Sequence, residues 1–492
     1  MEITLRAPDR PPPPSARPPL VGLTPGGVAA LHDELLAYHR EFAPLFQRAE
    51  QRHWALEYLE GQLLPLERKS IAPLADALDG GNVQAMQRFI SLGAWEDDAV
   101  LARHQQLVAE TLGDADTGVL IVDGCDCPKQ GEYSVGVARQ YCGALGKVAN
   151  CQASVVACYA SARGFTLVDR RLYVHEDWFT EAYAPRRTRC GVPAALPFRT
   201  RTALAGALIA GLCERGALPF RWVTGDEHFG NTPVLLDQLA DAGRAYFMAV
   251  PHNVRVWASR PPTAVPAATG KKGHPFTRLR LAPGAPAPVR VDALAAALPP
   301  SAWQVAQVQE GSKGPLVAEG AFVRAVAVRD GLPGPDVWLV LRRTLDAARE
   351  LKTYRCNAAA DTPPETLVWL LGLRWPVEQA SKAAQDELGL DHYEVRGWRG
   401  WHHHTTMTLL AQHFLVRLRG RLGGGGYPRA DGTASPAPAQ RDAPGPAPRR
   451  RRHARLHPGG AAPQLRRRAF PPPAAAAPAR SAPGHLLSEL TL

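Results

Sequence analysis

Two short apolar runs in this chain each end on an aspartate, and that pattern limits its fold more than any other. Val119-Leu-Ile-Val leads into Asp123, and Phe220-Arg-Trp-Val-Thr-Gly leads into Asp226. Runs of this length, bounded by Gly, Asp and Thr, read as buried strands. A third acid, Glu378, lies in a helical stretch, Leu370-Leu-Gly-Leu-Arg-Trp-Pro-Val-Glu. Two strand-end carboxylates and one on a later helix can converge at one edge of a sheet. Such a set can hold a pair of divalent cations, an arrangement suited to in-line phosphoryl transfer.

The 492 residues suffice for two or three domains with sizeable cores. Residues 1–26 are Pro-rich and expected to be disordered. Residues 27–112 carry apolar residues at helical spacing, from Val28 and Leu31 through Leu35, Phe42, Leu56, Leu59 and Leu63. Residues 113–250 alternate in an α/β manner. Strands are expected over 119–123, 153–160, 165–174, 221–226 and 245–250, and helices over 202–213 and 234–242. The consecutive strands on either side of Ala162-Arg-Gly164 suggest antiparallel pairing rather than a simple βαβ repeat. Residues 251–362 are rich in Pro, Gly and short β-type runs, and read as a β-rich insertion between the second and third acids. Helical periodicity returns in residues 363–419, over Pro364–Leu388 and again over Thr405–Leu418.

The formal net charge of +11 suggests a nucleic-acid partner, but its distribution weakens that inference. Residues 421–492 hold 12 Arg and no Lys against three acids, so +9 of the excess lies there. This segment, with the Gly423–Gly426 run and 13 prolines, cannot bury enough apolar surface to fold. Two readings of residues 420–492 stay open. One is a flexible basic tail adding salt-sensitive DNA affinity. The other is the product of a shifted reading frame in GC-rich DNA, since Arg, Pro, Ala and Gly have GC-rich codons. No apolar run reaches 18 residues, so no membrane-spanning helix is expected. The N-terminus lacks the basic start and apolar core of a secretion signal. The eight cysteines form no CxxC pair and are expected to be reduced thiols. The expected compartment is the cytoplasm, with the protein associated with the nucleoid.

Four motifs occur in order along the chain: Val122-Asp-Gly-Cys-Asp-Cys-Pro-Lys-Gln-Gly131 with Ser134–Gly143, then Gly225-Asp-Glu-His-Phe-Gly230, Arg374-Trp-Pro-Val-Glu378, and Glu387-Leu-Gly-Leu-Asp-His-Tyr-Glu-Val-Arg396. Together they resemble DDE transposases of bacterial insertion sequences, in the IS-four-like branch and its IS-seven-hundred-one-like group, over residues 27–419. The resemblance implies an α/β, RNase H-like mixed sheet flanked by helices. It also implies an N-terminal helical DNA-binding region and a β-rich insertion before the last catalytic acid. The activity implied is metal-dependent cutting of element ends and strand transfer into target DNA. Asp123, Asp226 and Glu378 are then the catalytic ligands of two Mg²⁺ ions, with Mn²⁺ able to substitute. The partners implied are element-end and target DNA and a second copy of the chain on paired ends, with no membrane and no small-molecule substrate.

Neighbouring residues compete with or support these three. Asp126 and Glu227 are acids beside the first two and are expected to support the site from outside the ligand set. Lys129, Arg139 and Lys147 flank the first acid, and Arg374 and Lys382 flank the third; all five are candidate DNA-phosphate contacts. Three successive histidines, His402–His404, cannot share one helix face, so aromatic packing is expected there rather than a metal site. Cys125 and Cys127 read as buried strand thiols. The family places a tyrosine and a lysine where this chain has Leu371 and Gln385. Gln385 carries no phosphate-binding charge. That keeps two alternatives open: a decayed copy that binds DNA without cutting, or a stand-alone metal-dependent nuclease.

Overall fold

The aspartate-terminated runs form strands that pair with each other. The computed structural model describes residues 25–267, 277–311, 314–373 and 375–421. Nearly all of the Pro-rich N-terminus, the tail from 422 onward and Arg374 lie outside the described residues.

Helices come first: α1 (Pro25–Arg40), α2 (Ala49–Leu63), α3 (Ile71–Ala77), α4 (Val83–Ser91) and α5 (Asp97–Leu112). An antiparallel group follows, β1 (Val119–Pro128), β2 (Ala138–Cys142), β3 (Lys147–Ser161) and β4 (Gly164–Tyr173), in which β3 bonds to each of the others. After α6 (Ala184–Arg189) and α7 (Arg201–Arg215) comes β5 (Trp222–Gly225). Then α8 (Glu227–Gly230) and α9 (Pro233–Asp241) lead to β6 (Ala245–Val250). Strand β5 lies between β1 and β6 and is parallel to both. Helices in these crossovers are what a parallel pairing requires.

The stretch expected as a β-rich insertion holds β7 (Arg255–Trp257), β8 (Thr263–Ala264), β9 (Arg280–Leu281), β10 (Val289–Arg290), α10 (Val291–Ala297), β11 (Gln304–Gly311), β12 (Gly314–Arg329), β13 (Leu332–Thr344) and β14 (Leu351–Cys356). It is not separated from the main sheet. Strand β14 pairs antiparallel with β6, so one mixed sheet runs β10-β7-β12-β13-β14-β6-β5-β1-β3-β2. Only its outer part has a core of its own, around Val256, Val291, Ala321, Leu339 and Leu341. The chain closes with α11 (Pro364–Leu370), α12 (Trp375–Asp386) and α13 (Trp398–Arg421). The helical periodicity of 364–388 is thus two helices, broken around Gly372.

Side chains on the two faces of the central strands enter different cores, as strand alternation demands. Leu120, Val122, Val223 and Met248 pack with α7 and α9. Val119, Ile121, Cys125, Trp222 and Phe247 pack with α11, α12 and Leu409 of α13. Helix α13 also joins a third core with α1 to α4, through Trp401, Met407, Leu410 and Phe414. The N-terminal helices are therefore built onto the main sheet and are not a detached arm. A buried charge cluster ties the same parts together. Arg170 of β4 donates to Asp97 of α5, to Thr405 Oγ1 at 3.0 Å and to Thr406 Oγ1 at 2.8 Å of α13. Its neighbour Asp169, fully buried, accepts from Arg171 at 2.6 Å and from Arg215 of α7 at 2.9 Å. Removing one partner of such a buried pair typically costs about 3–5 kcal/mol, because the other is left charged and unpaired.

The α13 histidines serve packing. His403 stacks on Trp95 at 3.6 Å between ring centroids, and His404 Nδ1 lies 2.8 Å from the Tyr58 hydroxyl. Burial lowers the pKa of His104 and His403 to about 4 and that of His402 and His404 to about 3. His413 is held well below the ordinary value by burial and by His104. The unfolded chain takes up these protons near pH 6.5, about the free imidazole value, while the folded chain resists until far lower pH. Stability is full above that value and falls as pH drops toward 4. The thermal midpoint is expected to be lower at pH 5 than at pH 7.5, with a shallower fall in His404→Gln; a flat profile would contradict this account.

Candidate active site

The β1–β5 register brings the two aspartates side by side. Its last paired row is Val122 with Gly225, so Asp123 and Asp226 occupy the next step. Both also face the same way. On β1, Ile121 and Cys125 point toward α12, and Asp123 shares their side by alternation. On β5, Thr224 is the partner of Ile121. Asp226 is still extended, at φ −78° and ψ −175°, so the alternation carries its side chain to that same face.

Asp226 then starts a helix. Its Oδ1 accepts the His228 N–H at 2.9 Å and the Phe229 N–H at 3.3 Å, capping α8. The glycine that ends the Gly225–Gly230 motif allows this turn to sit where it does. A Cβ on Gly230 would lie 1.9 Å from the Ala249 carbonyl oxygen in β6. Asp123 Oδ1 accepts the N–H of Gly124 at 2.9 Å. Both aspartates are half-buried.

Helix α12 runs beside β1 in the same sense. At its start the Trp375 ring meets Phe165 of β4 at 5.9 Å, level with Val119 through the Ala160 pairings. Near its end Gln385 Nε2 lies 3.6 Å from Cys125 Sγ. Asp123 falls between these anchors on the strand, and Glu378 falls between them on the helix. Val377, Ala380 and Ala384 face the sheet, while Glu378 and Lys382 are exposed four residues apart on one stripe. Among the described residues, no group of three or more His, Cys, Asp or Glu side chains stands close enough to hold a metal ion. The two aspartates are neighbours at one sheet edge, and the third acid is on the helix alongside, outside a closed ligand set.

The flanking residues separate into distinct roles. Asp126 points to the opposite face, where its carboxylate accepts the Gly143 N–H at 2.8 Å and lies 3.3 Å from the Arg201 guanidinium. Glu227 is the first residue of α8 and is exposed. Lys129 does not stand ready for a phosphate. Its ammonium donates to the carbonyls of Asp391 at 3.1 Å and Tyr393 at 3.3 Å, over the Tyr393 ring. Arg139 and Lys147 are exposed on the β2–β3 hairpin. Cys125 and Cys127 are buried free thiols, and the Cys127 contact and burial hold the Cys125 thiol well above its ordinary pKa. The role of Arg201 had no sequence signal, because its partner Asp126 is 75 positions away.

The sequence profile of the DDE superfamily endonucleases matches residues 41–315. The chain belongs to that family. The match covers both aspartates and ends before Glu378, so the third acid rests on its motif and on the course of α12. One relative is a probable transposase for insertion sequence element IS701 from Microchaete diplosiphon. It is 25% identical over 223 residues, which is 45% of this chain and 54% of that protein. The chain thus spans about half the length of that relative. No described helix is long and apolar enough to cross a membrane.

The close approach of α8 to β6 gives a test of how Asp226 is positioned. Gly230→Ala forces backbone apart, and overpacking of this kind costs about 1–3 kcal/mol. The urea midpoint is expected to fall accordingly; an unchanged midpoint would mean that α8 is free to shift.

Proposed function

We propose that this chain is an insertion-sequence transposase that cuts element ends and joins them to target DNA, with Asp123, Asp226 and Glu378 as ligands of two Mg²⁺ ions. The observation that carries the reading is the placing of Asp123 and Asp226 at neighbouring parallel strand ends on the face that α12 covers. The donor chemistry fits the ion: Mg²⁺ takes carboxylate and water oxygens. When bound, paired ions activate water or a 3′-hydroxyl and stabilise the leaving oxygen of an in-line displacement.

The chain's own residues do the positioning. Two amides of α8 hold Oδ1 of Asp226. Glu378 completes the set from the first turn of α12, and Lys382 on the same stripe serves the DNA backbone. Arg139 and Lys147 are further phosphate contacts, and the N-terminal helices contribute to end binding. The RNase H-like assignment agrees with the β4-β3-β1-β5-β6 order, with residues 251–362 as the insertion. A pair of chains on paired ends, working in the cytoplasm on nucleoid DNA, completes the reading by family analogy.

The test is nicking of duplexes carrying the element's two ends, in Mg²⁺ or Mn²⁺, by the wild type and by Asp226→Asn. Asn is as good a helix cap as Asp, so the variant keeps the fold and loses the charge. Metal-dependent nicking at the ends, lost in the variant by at least about 100-fold, is expected, a loss of the size seen when an electrostatic catalytic group is removed. Equal nicking by both proteins would reject the assignment. A second reading has its own observation. Gln385 turns an uncharged amide toward Cys125 where the family has a lysine. A decayed copy would bind the ends without cutting, and Gln385→Lys would restore nicking.

A further inference from the structure

The connection between β1 and β3 carries a surface that the cutting chemistry leaves unused. Strand β2 and the first part of β3 form a hairpin closed by one turn over Gly143–Leu145, with Gly146 left-handed at φ 62°. Its turn is tied to β1: Asp126 accepts the Gly143 N–H and pairs with Arg201, which also donates to Gln140 of β2 at 3.1 Å. Its end is apolar and exposed, with Tyr141 at 60%, Leu145 at 46% and Val148 at 54% accessibility. Tyr141 and Val148 are cross-strand partners on one face, and Arg139 lies two residues from Tyr141 on that face. Lys147 is exposed beside the turn. No acid occurs between Tyr133 and Val168.

An exposed apolar surface on a tethered turn marks an interaction site. The charge around it selects the partner. Arg139 and Lys147, without acids, favour a polyanion, and a polyanion with an apolar interior is a nucleic acid. A two-fold contact between copies through this tip would set Arg139 and Lys147 against themselves. The position agrees. Val148, Asn150, Gln152, Ser154 and Val156 alternate onto one face of β3, and Val156 pairs with Asp123. Alternation thus carries the face of Asp123 onto the hairpin, and the Asp126–Gly143 bond folds its turn back against β1, three residues from Asp123. Apolar side chains inserted between base steps are a known way for proteins to unstack and kink DNA.

We propose that this hairpin is a DNA wedge. Tyr141, Leu145 and Val148 enter a groove and part a base step on the flank of the cut site, while Arg139 and Lys147 hold the adjoining phosphates. The wedge rests on the DNA-cutting reading above. It is tested by the binding of the full chain, at fixed salt, to a 30-base-pair duplex (a probe length of roughly three helical turns) and to the same duplex with a central two-base mismatch. A wedge pays less to open a step already unpaired, so the wild type should prefer the mismatched duplex by about tenfold. The variant Tyr141→Ser/Leu145→Ser/Val148→Ser should lose that preference yet bind the intact duplex as before, with its melting temperature kept as a folding control. Arg139→Ala/Lys147→Ala should weaken both duplexes alike and flatten the salt dependence by about two phosphate contacts. A serine variant that keeps the preference overturns the wedge. So does one whose only change is the oligomeric state in sedimentation, which would make the tip an interface between copies. A wild type that nicks element ends but shows no mismatch preference overturns the wedge alone. Failure to bind either duplex overturns the DNA reading with it.

Discussion

Everything proposed for this chain depends on the parallel pairing of β1 with β5. Neighbouring strands in a sheet lie about 4.8 Å apart, so residues at the same level of two strands start from adjacent backbone positions. The register sets Val122 against Gly225, and the two acids take the next step. Because Asp226 remains extended before α8 begins, alternation turns both carboxylates to the face covered by α12. A one-residue slip in either strand would send one acid to the opposite core. The sequence resists such a slip by filling the flanking positions with side chains that belong to different cores, Ile121 and Trp222 on one side and Val122 and Val223 on the other.

The surroundings of this pair are rigid where the acids need support. Helix α8 reaches within van der Waals limits of β6 only because position 230 lacks a Cβ. Helix α13 packs both on the main sheet and on the N-terminal helices. The buried Arg170 and Asp169 bonds reach α5, α7 and α13 from adjacent positions of β4. Burying charges is costly unless every partner is present, so these elements are held in one arrangement. The N-terminal helices can thus present a surface in fixed relation to the acids.

Much of this was legible beforehand, for identifiable reasons. The buried central strands announce themselves because both faces are apolar, and the acids end those runs. The antiparallel pair around Ala162-Arg-Gly164 was legible from its turn. Other features depend on partners distant in the chain. Periodicity identified helix only from Thr405, yet α13 starts at Trp398, because its first turns are aromatic and histidine-rich and bury those rings against Trp95 and Tyr58. Residues 251–362 read as a β-rich insertion of short runs between Pro and Gly; the length of β12 and β13, and their place in the main sheet, had no such signal. Lys129 looked like a phosphate contact because its sequence neighbours are polar, but the chain near Asp391 folds over it and takes two hydrogen bonds from its ammonium. Charge alone could not foresee that.

The central claim is that Asp123, Asp226 and Glu378 together bind divalent metal. The most direct measurement is titration of Mn²⁺ into the full chain bound to an element-end duplex. It would be followed by the electron paramagnetic resonance signal of free Mn²⁺ for the wild type and for Asp123→Asn, Asp226→Asn and Glu378→Gln. The account predicts two ions taken up by the wild type and a loss of affinity of at least about tenfold, or 1.4 kcal/mol, in each aspartate variant, with a weaker second ion in Glu378→Gln. Uptake unchanged in all three variants would contradict it, and would leave the neighbouring aspartates as a strand-end feature of the fold without a catalytic role.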